Sequence, residues 1–219
     1  MSDALERARG AARRLKVFPL PSVVLLPGTA LPLHIFEPRY RELVSDALAG
    51  DKLFAMAQVV PGQERTPKPD LEPMLCIGTI SMHEKLEDGR FELLLSGVVR
   101  ARVVRELPTS KLYREVEVEV LEDPAVPDGD DDEEALRFAL LELVARLPTD
   151  VGERVAQATV RARGGALADV LASAVMEDVI RRYEVLCERD VHVRMQMVAE
   201  ETMVLVAGMQ SRKPEGLLN

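Results

Sequence analysis

The chain has 219 residues, 47% of them hydrophobic and 30% charged, with a formal net charge of −9. A chain of this size buries roughly 70% of its unfolded surface, so a core forms without staples, and the composition is that of a globular protein, neither disordered nor fibrous. Arg, Lys, Asp or Glu interrupts every apolar run before the roughly 20 residues of a membrane helix, and a net negative charge repels phosphate backbones.

Residues 1–16 carry Arg7, Arg9, Arg13 and Arg14 beside Asp3 and Glu6, with no apolar segment followed by a cleavage site, and read as a frayed lead-in. Only Cys76 and Cys187 are present, too few for a disulfide framework, which places the chain in a reducing compartment and predicts the cytoplasm.

From Val17 to Glu122 the punctuation is that of short strands broken by Pro and Gly. Residues 115–120 (EVEVEV) alternate as a half-buried strand requires. Asp88-Gly89 supplies the turn that joins residues 75–86 to 91–104 as a hairpin. Gly78 and Gly97 fall inside those strands, where glycine marks a bulge or a corner, and several such strands predict a small, strongly bent barrel. One helix interrupts them: Tyr40, Leu43, Val44, Ala47 and Leu48 share a face, Pro38 stands in the first turn and Gly50 follows the end.

Residues 123–134 form an acidic segment with Pro and Gly, read as a solvated linker, and residues 135–219 become helical in spacing. Leu136, Leu140, Leu143 and Leu147 make one stripe. Leu167, Leu171, Val175, Val179, Tyr183 and Leu186 make a longer one, behind a break at Gly164-Gly165. A last helix is predicted from the N-cap Asp190 through Met195, Val198 and Leu205 to Lys213-Pro214. The domains are thus 1–16 lead-in, 17–122 β domain, 123–134 linker and 135–219 helical bundle.

The stretch FPLPSVVLLPGTALPLHIFEPRYRELV, residues 18–44, closely resembles the opening of the Lon protease N-terminal domain. Residues 76–80 (CIGTI), 95–102 (LSGVVRAR), 167–171 (LADVL) and Asp190-Val191 resemble its later elements, so the likeness spans nearly the whole chain. It implies an α+β protein with an N-terminal PUA-like β-barrel, one or more inserted helices and a C-terminal α-helical bundle. The implied role is recognition of unfolded or tagged polypeptides. No G-x-x-x-x-G-K-[ST] phosphate loop is present. The expectation is therefore a stand-alone binding module, with neither ATPase nor peptidase, serving as an adaptor for a separate ATP-dependent protease.

Physics explains much of the first motif without the resemblance. Pro27-Gly28 turns the chain, Leu31, Leu33 and Ile35 alternate inward, and Phe36 and Tyr40 are expected in the core. Arg39, Arg41 and Glu42 are expected solvated or paired with one another.

His34, His83 and His192 are separated from one another and from both Cys, which gives no zinc spacing and no Cys-His pair; His34 is expected near a carboxylate such as Glu37. The acidic run 128–134 fails the calcium-loop pattern at its sixth and twelfth positions. No catalytic residue, metal or cofactor is expected. The polypeptide-binding candidates are Leu33, Phe36, Arg39, Tyr40 and Arg100 from the matching motifs, with Met195 and Met203 from the adaptability of methionine surfaces. Apolar area in a groove between barrel and bundle would supply affinity. Two other readings stay open: a small hydrolase or peptidase in the same cleft, and RNA binding through Arg100, Arg102 and Arg105. Membrane and nucleic acid are not expected partners.

Overall fold

A computed structural model describes residues 3–211. The predicted end of the last helix at Lys213-Pro214 lies outside those residues. The chain is α+β and divides into two compact units, one up to Glu122 and one from Asp123 onward.

The first unit opens on a helix, α1 (Asp3–Ala11), where the sequence reading had only a lead-in. Ala8 is its one buried residue, so the apolar stripe that announces most helices is missing; an Asp3–Arg7 pair at 3.0 Å holds the first turn. Six strands follow: β1 (Leu15–Leu20), β2 (Ala30–Ile35), β3 (Leu53–Val59), β4 (Leu71–Lys85), β5 (Phe91–Leu107) and β6 (Arg114–Leu121). They form one mixed sheet in the order β2-β5-β4-β3-β1-β6, parallel only between β1 and β3. β5 pairs with β6 as well, so the ladder from β5 through β4, β3, β1 and β6 returns to β5. Its interior is packed with Val17, Leu53, Ala55, Leu75, Ile77, Ala101 and Val116, each at most 1% exposed.

β5 has 17 residues and serves both ends of this ladder. Such a strand must bend, and the register shifts at Ile77/Gly78, Ile80/Met82 and Val103/Arg105 are where it and its neighbours do so. Gly89, at φ +80°, makes the β4–β5 turn that the Asp88-Gly89 pair announces.

Helix α2 (Pro38–Ala49) starts at proline and buries Tyr40, Leu43, Val44 and Ala47. Tyr40 stacks on Phe18 with ring centroids 3.9 Å apart and donates to the Pro19 carbonyl at 3.4 Å.

The second unit is helical: α3 (Asp131–Val144), α4 (Thr149–Thr159), α5 (Gly164–Val175), α6 (Val179–Cys187) and α7 (Val191–Ser211). Residues 167–186, read as one stripe, are two helices. Met176 is extended and 3% exposed, and Asp178 caps α6 by accepting from Ile180 N at 2.8 Å. Gly164 and Gly165 do not precede α5 as a break but form its buried first turn. α4 has no counterpart in the sequence reading, because Pro148 offers no side-chain cap and only Gly152 and Thr159 are buried.

The acidic segment before α3 is exposed over most of its length, and ion pairs and a cap tie it to the helices. Asp123 pairs with Arg194, Asp128 with Arg163 at 2.7 Å, and Asp130 caps α3 by accepting from Asp132 N and Glu133 N. Arg194 is fully buried, 3.5 Å from the equally buried Asp169. Burial opposes the charge on Glu133, yet the Gly164 N–H with Arg137 and Arg163 outweighs it and holds this carboxyl below the usual range.

Candidate functional site

Two features of the first unit lie on or beside residues the sequence singled out. One is a cleft of about 430 Å³ beside α2. Pro19, Leu20, Pro21 and Tyr40 supply its apolar wall, while Arg39, Lys68 and Arg114 meet Glu37 and Glu64 on its polar side. These cations are largely neutralised in place. Arg39 Nε donates to Glu37 at 3.0 Å and its guanidinium lies 4.6 Å from the centre of the Tyr40 ring. Arg114 forms a two-pronged pair with Glu106 at 3.0 and 2.7 Å, and Lys68 reaches the same carboxylate at 3.0 Å. Burial opposes ionisation of Glu106, but those two cations together keep its carboxyl below the ordinary value.

The second feature is the outer face at the β2 end of the sheet. Register puts Pro32, Leu94 and Met82 in one row across β2, β5 and β4. Leu93 and Leu95 are buried on the opposite face, so alternation points Leu94 outward. Pro32 is exposed and Met82 is 67% exposed. Next along the strands, His34 contacts Glu92 at 3.1 Å and Arg90 at 3.2 Å, and its ring stacks at 6.0 Å on Phe36. Phe36 is 60% exposed. The result is an apolar strip with one polar interruption on a face that no other described element of this unit is shown to cover.

The candidates from the sequence do not all meet here. Phe36 was expected in the core and is instead on the surface, because it follows the last paired residue of β2, Ile35, and precedes Pro38 of α2. Tyr40 is core, as expected, though it also lines the cleft. Leu33 is half-buried on the face opposite Pro32 and His34. Arg39 is exposed and paired with Glu37.

Arg100 is 2% exposed inside β5, between Cys76 of β4 and Leu121 of β6. Arg102 and Arg105 are bound by Glu119 at 2.5 Å and Glu117 at 2.6 Å, so the arginine cluster proposed for RNA is one buried and two neutralised cations. Met195 is fully buried in the second unit, whereas Met203 on the same helix is 38% exposed beside Val204 at 68%.

His34 pairs with Glu92 rather than Glu37. His192 lies with Asp130 and Asp132, at 3.5 and 3.0 Å, where two helices begin. Both carboxylates already serve backbone or side-chain donors there, Asp130 as a cap and Asp132 as acceptor from Gln196 at 2.8 Å.

Pro32, Leu94 and Met82 were not singled out beforehand. In the run ELLLS nothing distinguishes the outward leucine from its inward neighbours until Leu93 and Leu95 are paired with β2, and the bulge at Ile80/Met82 resets which β4 residues face out.

Residues 14–202 match the family model of the ATP-dependent protease La (LON) substrate-binding domain. Lon protease 2 of Myxococcus xanthus is 28% identical over 193 residues, 85% of this chain and 23% of that protein. Lon protease of Dictyoglomus thermophilum is 28% identical over 189 residues, 84% and 23% of the two chains. The chain thus spans about a quarter of the length of these curated relatives. Among solved structures, the Lon N-terminal domain protein from Xanthomonas campestris superposes with a TM-score of 0.65 at 24% identity, covering 85% of this chain and 97% of that one. The N-terminal domain of the Mycobacterium avium complex Lon protease gives 0.67 at 18% identity, covering 87% and 98%. These likenesses show the fold, and the family match covers far more than half of the chain: it belongs to the Lon substrate-binding domain family.

Proposed function

We propose that this chain binds unfolded or tagged polypeptides without chemically altering them, and that it serves as an adaptor presenting them to an ATP-dependent protease. The observation that carries the reading is the row of exposed Pro32, half-buried Leu94 and exposed Met82, with exposed Phe36 beyond it. Isolated apolar residues on a surface mean little, but apolar residues grouped on one face of neighbouring strands offer an extended chain alternate side-chain contacts at the spacing of a strand. Methionine and proline suit this task, the first by adapting to varied partners and the second by presenting apolar surface without an N–H. Leu33, Phe36, Arg39 and Tyr40 are proposed to line or support the contact, with Phe36 the residue that touches the client.

A binding role also accounts for the chemistry of the face. His34 is held between Glu92 and Arg90 and faces no hydroxyl or thiol in its hydrogen bonds, and Cys76 is buried in β4. Hydrogen–deuterium exchange with and without a permanently unfolded test protein checks the reading. Protection is expected at residues 30–36 and 82–94; protection confined to other residues contradicts it.

A further inference from the structure

On the inward side of the same hairpin, a second cleft of about 520 Å³ opens between the start of α2 and the β4–β5 turn. Pro38, Arg41, Glu42 and Ser45 come from the helix, Lys85, Gly89 and Phe91 from the hairpin. Two of its walls are cations. Most arginines and lysines here are engaged by a carboxylate, as Arg39, Arg102, Arg105 and Arg114 are. Among the described residues, the side chains of Arg41 and Lys85 form no ion pair or hydrogen bond. Arg41 does lend its field to Asp88, but that carboxylate is bonded to Arg90 at 2.6 Å. Glu42, the one acid in the lining, accepts from Leu112 N at 3.0 Å and faces Lys111 at 3.8 Å.

The shape of the cleft keeps the two cations in place. The Arg41 guanidinium lies against the turn, so close that a Cβ on Gly89 would sit 2.2 Å from its Nη2. The Lys85 ammonium lies 5.7 Å from the centre of the Phe91 ring, whose own burial fixes it as a floor. Two held cations over an aromatic floor match a carboxylate carried on a short aliphatic stem.

We propose that this cleft takes an aspartate or glutamate side chain of the bound polypeptide, so that clients are selected for an acidic residue as well as for apolar ones. The inference rests on the polypeptide-binding reading and adds a preference to it. A nucleic acid fits the same cations less well. Asp88 and Glu42 lie beside them, and these acids together with the net charge of −9 repel a chain of phosphates while admitting one carboxylate.

Fluorescence anisotropy with two labelled peptides tests it. Both carry the same apolar residues; one has a central Asp-Glu pair, the other Asn-Gln. The acidic peptide is expected to bind about tenfold tighter at low salt, as a charge-assisted bond gives. In Lys85→Gln and in Arg41→Gln the advantage is expected to fall below about twofold, with binding of the amide peptide unchanged. Because Arg41 packs on the turn, melting curves accompany both variants, and Lys85→Gln alone decides if Arg41→Gln melts early. Equal affinity for the two peptides overturns the acidic preference and leaves polypeptide binding standing. Failure of either peptide to bind overturns both. Tight binding of a single-stranded oligoribonucleotide that is lost in Lys85→Gln overturns it in favour of phosphate.

Discussion

Gly97 shows how closely single residues are specified in this sheet. Its N–H donates to Thr29 O at 2.8 Å and its carbonyl accepts from Gly28 N at 3.0 Å, while a Cβ added there would lie 2.2 Å from the Leu26 carbonyl and 3.3 Å from Cys76 Sγ. Backbone cannot move aside as a side chain can, so Gly97→Ala is expected to cost about 3 kcal/mol, the upper end of overpacking. Gly10, in α1, meets nothing within 4 Å, and Gly10→Ala is expected to stabilise by about 0.5–1 kcal/mol through helix propensity. Urea unfolding of the two variants, displaced in opposite directions, checks both. That Gly78 and Gly97 mark irregular strand positions was legible in the sequence; that Gly97 answers to Leu26 was not, since the contact is set by tertiary approach.

Asp46 and Tyr113 make a prediction about pH. Hydrogen bonds from Lys111 at 2.6 Å and from the Tyr113 hydroxyl at 2.7 Å hold the Asp46 carboxyl below its ordinary 3.8. Burial, then the bond to Asp46, pushes the Tyr113 phenol above its ordinary 10.0. A depressed acid contributes stability above its unfolded value and loses it as pH falls through the folded one. A raised phenol contributes below its unfolded value and loses it as pH rises through the folded one. Tyr113→Phe is therefore expected to cost about 1 kcal/mol between about pH 5 and 9, with the difference from the parent shrinking below about pH 4 and above about pH 10. Urea midpoints of both proteins across that range provide the check, and a difference independent of pH contradicts it.

At the scale of elements, β2 is the end of the sheet and pairs on one side only, with β5. An unpaired edge invites another strand, and Pro32 in its middle has no N–H to offer one. Pro32→Val restores that donor and raises strand propensity, so self-association is expected to increase, read as a mass shift in light scattering behind size exclusion. An unchanged monomer–oligomer balance would show that the edge is protected by something else.

In the helical unit, Arg194 is fully buried between Asp123 and Asp169, and its approach requires the absence of a Cβ at Gly165. Arg194→Met leaves Asp169 buried without its cation and is expected to cost about 3–5 kcal/mol, with Asp169→Leu in the same chain recovering part of it. Thermal melts followed by helical circular dichroism report the outcome. One helix start with a side-chain cap was legible: Asp190 accepts from His192 N at 2.9 Å where the sequence placed a cap. α1, with a single buried residue, and α4, whose start has no side-chain cap, were not, and the break at Met176–Asp178 was hidden because Val175 and Val179 keep the apolar period across it.

For the molecule as a whole, the α+β class and the family were legible, because strand alternation, turn glycines and the motif at residues 18–44 all point the same way. The candidate site was legible only in part. The motif named Phe36, Arg39 and Tyr40, which lie near one another, but a motif does not say which of its residues face out, and Arg100 and Met195 proved buried. Among the described residues no helix is long and apolar enough to cross a membrane, so the exposed strip is not part of a spanning helix.

The most direct test of polypeptide binding is an anisotropy titration of a labelled, permanently unfolded protein with the parent chain and with the double variant Phe36→Ser, Met82→Ser. Both side chains are exposed, so the variant is expected to melt with the parent to within about 0.5 kcal/mol. Saturable binding by the parent, weakened at least about tenfold in the variant, is the predicted result. Equal affinity of the two, at equal stability, would contradict the assignment of this face as the binding surface.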